Sequence, residues 1–561
     1  MLHKLKNINL KSKIKQWLRF DFWKISKIVI LAIFALFLLY PFGRLFYRAI
    51  FDNDNKFTLE YFKQFTEYKY YYQTLFRSLF VSTITTILAI VIGVPLAYIT
   101  SRYKIYGKKI INMMIVMSLM SPPFIGAYAW IMLLGRSGII TKFMASLGVH
   151  IPSIYGMGGI LLVFTLKLFP YVYLYVSGAL SSIDASLEEA AENLGMNKIR
   201  RILSMTFPII MPTIAAGAVM VFMTSLADFG TPMLLGEGFK VLPVLVYEQY
   251  VSEMSGNYGL AAALSVIIVT CSLTVLIIQK RIVNKRTYVM SALRPPVVME
   301  TRLVPKIILS LISFTVAFVS FLPQIVVIYI SFLNTVGPIF ADGFSLKSYQ
   351  EIFFRLGNNI KNTFMLSSIA IVLIVIIGVI IAYLTIRRKS KSSTLLDLIV
   401  MFPYVIPGAV LGISLILSFN NRPLLLVGSA AIMVIAYVVR KMPFTVRSAS
   451  AILQQIDPSV EEASISLGVS PMKSFFNVTA RLMIPGIVSG AILSWISTIN
   501  ELSSSIMLYT GRTATISVAV YTEVVRASYG TAAALASILT VTTIISFILF
   551  HIISKGKISV V

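Results

Sequence analysis

A chain of 561 residues that is 57% hydrophobic and 13% charged, with a mean hydropathy of +0.85, excludes a soluble globule. Its formal net charge of +27 would suit nucleic acid, but the Lys and Arg residues lie between apolar runs, as in the cytosolic loops of membrane proteins, so no nucleic-acid partner is expected. The single Cys271 excludes a disulfide framework, and His3, His150 and His551 lack metal-site spacing.

The chain opens on a basic segment, 1–27, carrying Lys4, Lys6, Lys11, Lys13, Lys15, Arg19, Lys24 and Lys27. The apolar run that follows over 28–48 is long and ends "LLYPFGRLFYRAIF" without a small-residue cleavage site, which predicts a retained span and not a signal peptide. Runs near the ~20 residues needed to cross a bilayer follow at 78–100, 110–134, 157–180, 208–230, 260–280, 305–332, 363–386, 395–418, 424–439, 484–507 and 531–554. The fold class predicted is therefore an all-α polytopic membrane protein of about 12 transmembrane helices. Basic clusters follow the even-numbered spans, as at Arg102 to Lys109, Lys198 to Arg201, Lys280 to Arg286 and Arg387 to Lys391, which predicts that both termini are cytosolic. Glu237, Glu248 and Glu253 then fall on the outer side.

The chain also repeats itself. "IGVPLAYIT" (Ile92 to Thr100) answers "IGVIIAYLT" (Ile377 to Thr385) at an offset of 285, and from Asp184 to Asp228 the offset is 273 without a gap. "YGLAAAL" at Tyr258 answers "YGTAAAL" at Tyr529. Six spans per repeat is an even number, so the copies enter the membrane from one side and run parallel. The expected organisation is a first half over 28–283, a linker over 284–304 holding Pro295 and Pro296, and a second half over 305–561.

Within the 273 register lies a polar device present twice: "EEAAENLGMNKIRRILSMTFPIIMP" from Glu188 and "EEASISLGVSPMKSFFNVTARLMIP" from Glu461. Ser186 with Glu189, and Ser459 with Glu462, have the spacing of a capping box. Gly195 and Gly468 are placed to close each short helix in the left-handed conformation. A second helix starts at Asn197 in one copy and at Ser470-Pro471 in the other, so each copy predicts a helix-bend-helix knuckle that leads into a proline at the membrane edge.

The pattern E-A-A, three residues, G, then an apolar-rich helix ending at proline resembles the EAA loop of binding-protein-dependent ABC importer permeases. It is carried by Glu188, Glu189, Ala190, Ala191 and Gly195, and again by Glu461, Glu462, Ala463 and Gly468, with Ser464 in place of the second alanine. The resemblance covers both halves. It implies that each loop docks on one subunit of a homodimeric ABC ATPase in the cytosol, and that an extracytoplasmic substrate-binding protein delivers cargo to a multi-pass permease of a bacterial cell (inner) membrane. No G-x-x-x-x-G-K-[ST] phosphate loop is present, so ATP hydrolysis is expected in the partner, and no cofactor is expected here.

Asp228 and Glu501 share one repeat position, about sixteen residues past Pro212 and Pro485, which at ~1.5 Å per residue puts them some 24 Å in from the cytosolic edge. Ionisable groups at such depth normally face a bundle interior or a water-filled path, so the pair is a candidate for the translocation pathway. "LADFGTPMLLGEGFKVLPVLVYEQY" resembles fused permeases of ferric iron uptake, and carboxylates suit a hard cation. Related permeases of the same build serve thiamine, phosphonates or sugar phosphates. An ion-gradient-driven secondary transporter is the alternative of another class, but it has no use for two matched knuckles.

Overall fold

The computed structural model describes residues 22–252, 257–284, 298–336 and 339–553. The basic segment up to residue 21, Glu253, the Pro295-Pro296 pair and the side chain of Glu188 lie outside the described residues. Among those described, nine helices are long and apolar enough to span a membrane, and two further bent pairs raise this to eleven. The twelfth span of the pattern is the helix Ala430–Gln455, 26 residues long. Arg440, Lys441 and Arg447 lower its apolar character, and only its beginning was visible in the sequence as the short run 424–439.

Four expected spans differ in shape. The run 110–134 is two helices, Lys108–Met120 and Pro123–Leu134, parted at Ser121 and Pro122. Its counterpart 395–418 parts at Ile406 and Pro407, where Lys391–Tyr404 and Gly408–Phe419 meet at 109°. Pro122 and Pro407 stand 285 apart, so both breaks belong to the repeat; a residue before proline is driven from helical to extended backbone. The runs 208–230 and 484–507 also stop early, at Ala227 and Ile499, because the chain turns at the two acidic residues.

The 273 register reaches further back than Asp184. Helices Met157–Ser181, Ala185–Asn193 and Lys198–Arg201 correspond to Ala430–Gln455, Pro458–Ser466 and Pro471–Ser474, and the π-helical turns Ile202–Thr206 and Phe475–Thr479 also fall 273 apart. Each half is built on a close three-helix crossing that needs glycine. A Cβ on Gly93 or Gly217 would lie 3.0 Å from the Val172 Cβ or 3.1 Å from the Val172 Cα. In the second half Gly378 and Gly490 make the same approaches to Thr445, with 2.7 Å from the Gly490 position to the Thr445 Cα. Helices in lipid gain their association from such close packing of small residues.

The first span of each half leans on the other half. Phe22–Ile50 packs against its own last span, Tyr258–Asn284, and also against Gly408–Phe419 and Gly357–Ile386 of the second half. At its start Trp23 packs against Tyr383 with tilted rings 4.2 Å apart and meets Phe475 edge-on at 4.9 Å, beside the second knuckle. Leu303–Ser331 mirrors this by packing on Lys108–Met120 and Pro123–Leu134 of the first half. The described end of the linker is tied down as well. Met299 pairs with Tyr103, and Glu300 accepts from Lys104 at 2.6 Å, a contact that raises the lysine pKa and lowers that of the carboxyl.

Candidate functional site

Two regions stand out: the repeated knuckles and a cavity between the halves. In each knuckle the cap differs from the expected box. The N-cap is Asp184 or Asp457, whose carboxylate accepts from the backbone N–H of Ser186 at 2.9 Å or of Ser459 at 2.8 Å. Ser186 and Ser459 therefore lie inside the first turn and the S-x-x-E pairing does not form; Asp precedes Ser by two residues and its carboxylate takes the Ser N–H. Hydrogen bonding from Ser459 also holds the Asp457 carboxyl below its ordinary pKa.

Both glycines take up left-handed backbone, Gly195 at φ +79° and Gly468 at φ +87°. Asn197 caps the following helix by accepting from the Arg200 N–H at 2.9 Å, whereas Ser470 caps by backbone position alone. The bend thrusts an apolar side chain outward on each copy, Leu194 at 79% exposure and Leu467 at 86%. Glu189 and Ala190, like Glu462 and Ala463, are exposed around it. Glu461 is different: half-buried, it accepts from the Tyr383 hydroxyl and from Thr479 Oγ1 at 3.2 Å, so it braces the knuckle against the spans.

The cavity has a volume of ≈ 270 Å³ and is walled by both halves. Asp228 and Glu501 line it, each at the turn that ends its helix. Neither is a free carboxylate. Lys167 stands 3.3 Å from Asp228 Oδ2, and the Thr231 N–H donates to Oδ1 at 2.9 Å. Glu501 accepts from Arg440 and Lys441, and its Oε1 also accepts from the Ser504 N–H at 3.0 Å and the Ser504 hydroxyl at 3.1 Å. Lys167 and Arg440 are 273 apart, so the repeat contains cation-anion pairs and not acids alone. Their side chains are 11% and 17% exposed, too buried for ions without partners.

The three cations were not expected from the sequence, although a signal existed: a lysine in "LLVFTLKLFPYV" is an ionisable group inside an apolar span. Two further carboxylates singled out in the sequence are engaged too. Glu237 pairs with Arg136 at 2.9 Å and Glu248 with Lys240 at 2.7 Å. Just beyond Asp228, away from the knuckles, the halves close on each other. Phe229 is fully buried, 4.7 Å from the Tyr247 ring and 6.4 Å from Tyr521 of the second half, and the Tyr128 hydroxyl donates to the Tyr529 carbonyl at 2.6 Å.

Among the described residues, up to eleven candidate spans and the helix Ala430–Gln455, in two parallel repeats that each carry one outward knuckle and one wall of a shared cavity, define a membrane transport permease. The chain matches the family model of the binding-protein-dependent transport system inner membrane component over residues 89–288 and 374–559, and it belongs to that family. It is similar along 96% of its length to the ferric transport system permease protein FbpB of Actinobacillus pleuropneumoniae, with 29% identity over 555 residues and 79% of that protein covered. It is likewise 29% identical over 498 residues to the putative ferric transport system permease protein FbpB 1 of Haemophilus influenzae, with 87% of this chain and 78% of that one covered. Among solved structures, a chain of a bacterial ABC transporter involved in the import of the acidic polysaccharide alginate is 18% identical; it matches over 50% of this chain and 100% of that one, with a TM-score of 0.41.

Proposed function

We propose that this chain is the permease of an ATP-driven importer for ferric iron, fed by an extracytoplasmic binding protein and powered by a homodimeric ATPase on the cytosolic side. The observation that carries the ATP-coupled part is the pair of knuckles, alike in cap, bend and exposed leucine, which offers two equivalent docking points to two equivalent subunits. The iron assignment is supported by the similarity to ferric permeases along nearly the whole chain. On this reading residues 28–283 and 305–561 are the two halves, both termini are cytosolic, and the membrane is the inner one of a bacterial cell. Glu188, Glu189, Ala190 and Gly195, with Glu461, Glu462, Ala463 and Gly468, form the coupling surface.

Asp228 and Glu501 then mark the translocation pathway, and Phe229, Tyr247 and Tyr521 form its outer seal. ATP-driven closure of the ATPases moves the knuckles, and the binding protein favours the arrangement that opens the seal. A ligand common to both arrangements would shift nothing. The test is radio-iron uptake in cells lacking the chain, with it restored, and with it restored as the Glu189→Lys/Glu462→Lys variant. Uptake that returns only with intact loops is the expected result. Equal iron uptake in all three strains would overturn the iron assignment, and the same strains would then be tried on thiamine, phosphonate and sugar phosphate.

A further inference from the structure

The charges at the cavity do not balance. Three cations, Lys167, Arg440 and Lys441, line it with two carboxylates, Asp228 and Glu501, leaving one positive charge in excess. Glu501 is also spent as a ligand, and Asp228 is paired with Lys167 and the Thr231 N–H. A carboxylate offers about four lone-pair sites, and Glu501 already accepts from Arg440, Lys441 and twice from Ser504. A bare trivalent cation would have to displace these donors while meeting a net positive wall.

Other features favour an anion in the same space. Ser121, at 9% exposure, lines the cavity, and its buried hydroxyl has no hydrogen-bond partner among the described residues. The helices Pro123–Leu134 and Gly408–Phe419 begin beside Ser121 and Ile406, two lining residues, so the positive ends of two helix dipoles lie at the wall. Gly408 lets the Arg440 guanidinium lie against that helix start, for a Cβ there would clash with it.

We propose that the cargo crosses this cavity as an anion: ferric iron travels clad in oxyanion or carboxylate ligands, as a net negative complex met by Arg440 and Lys441, and not as the stripped ion. The inference rests on the importer reading above. Hard ferric iron takes oxygen ligands, and with Glu501 fully occupied and Asp228 paired with Lys167 those oxygens come with the cargo. Arg440 is the informative residue, since without it Lys441 still neutralises Glu501 and the site becomes one-to-one like its counterpart in the first half.

The complete transporter, with its ATPase and binding protein, is reconstituted in vesicles and given radio-iron with radio-phosphate in one arm and radio-citrate in the other. The expected result is that iron and one ligand label accumulate together in a fixed ratio. Arg440→Gln lowers both about tenfold, the scale of one lost charge-assisted contact, while Arg440→Lys keeps most of the uptake. Iron entering with neither label, or entering Arg440→Gln vesicles as fast as wild type, overturns the proposal and leaves the iron assignment intact. A ligand label that enters without iron and needs Arg440 overturns the iron assignment and upholds the anionic cargo. If no label enters in a manner that depends on the chain, both fall.

Discussion

Replacing Glu501 by Gln removes the only carboxylate paired with Arg440 and Lys441 among the described residues and leaves those two cations side by side, with side chains 17% and 8% exposed. Breaking a buried ion pair by deleting one partner costs about 3–5 kcal/mol, because the surviving charge is stranded. Here two charges are stranded, but Arg440 can turn toward the water of the cavity and a glutamine oxygen still accepts from Ser504, so we expect about 3 kcal/mol. Asp228→Asn strands only Lys167 and keeps an acceptor for the Thr231 N–H, which places it lower, at about 1–2 kcal/mol. Adding Arg440→Gln to Glu501→Gln should recover about half of the loss. The assay is equilibrium unfolding of the purified chain in mixed micelles, followed by tryptophan fluorescence. A Glu501→Gln variant within about 0.5 kcal/mol of wild type, the range of ordinary surface changes, or a double variant no better than the single, would refute the ion cluster as drawn.

Four further outcomes are expected. Gly490→Leu should cost about 1–3 kcal/mol by overpacking, since the Thr445 backbone stands 2.7 Å from the new Cβ and cannot move as a side chain would, and the same unfolding assay reads it. Gly195→Val with Gly468→Val meets open space but forces left-handed backbone, about 1–2 kcal/mol at each bend, so the ATPase should no longer co-purify; retained co-purification would sever the bends from docking. Hydrogen bonding lowers the Asp457 pKa in the folded knuckle, so its cap is fully present above the unfolded value of about 4 and is lost as pH falls through the depressed folded value. Hydrogen exchange of the Pro458–Ser466 helix should therefore quicken only on acidification below that range, and Asp457→Asn should abolish the dependence. Lys441→Leu, which installs the residue found at Leu168, should fold as well as wild type yet import less, read as stability against uptake.

The repeat register and the knuckles were legible because their signals are local. A glycine needed for positive φ, an N-cap and a proline at fixed spacing survive divergence between the halves, and a charge within an apolar run stands out against lipid. The capping residue stands two positions before the one the spacing suggests, since S-x-x-E and D-x-S overlap at Ser186 and Ser459, and only the direction of the N–H groups decides between them. The span breaks at Pro122 and Pro407 were hidden because proline within an apolar run is common in membrane helices. The cationic partners of Asp228 and Glu501 lie about sixty residues away along the chain, too far for local spacing to pair them. Hydropathy compounded this, because the same cations that build the site make Ala430–Gln455 a poor span by composition.

Fusion of the halves explains why the cavity can carry an odd charge. In a pore of two identical chains every lining residue appears twice, so a cation added to one wall is added to the other, and the excess changes in steps of two. Here Lys441 has no cationic counterpart, its repeat position being Leu168, and the wall of the first half keeps a one-to-one pair while that of the second carries two cations on one carboxylate. The same break of symmetry appears at Asn500, whose counterpart is Ala227 and whose amide donates across to the Met120 carbonyl at 3.4 Å and to Thr543 at 3.2 Å. The knuckles have diverged little in shape, while the cavity has diverged in charge. A cavity lopsided in charge beside two matched knuckles is what one chain with two halves permits and two copies of one chain forbid.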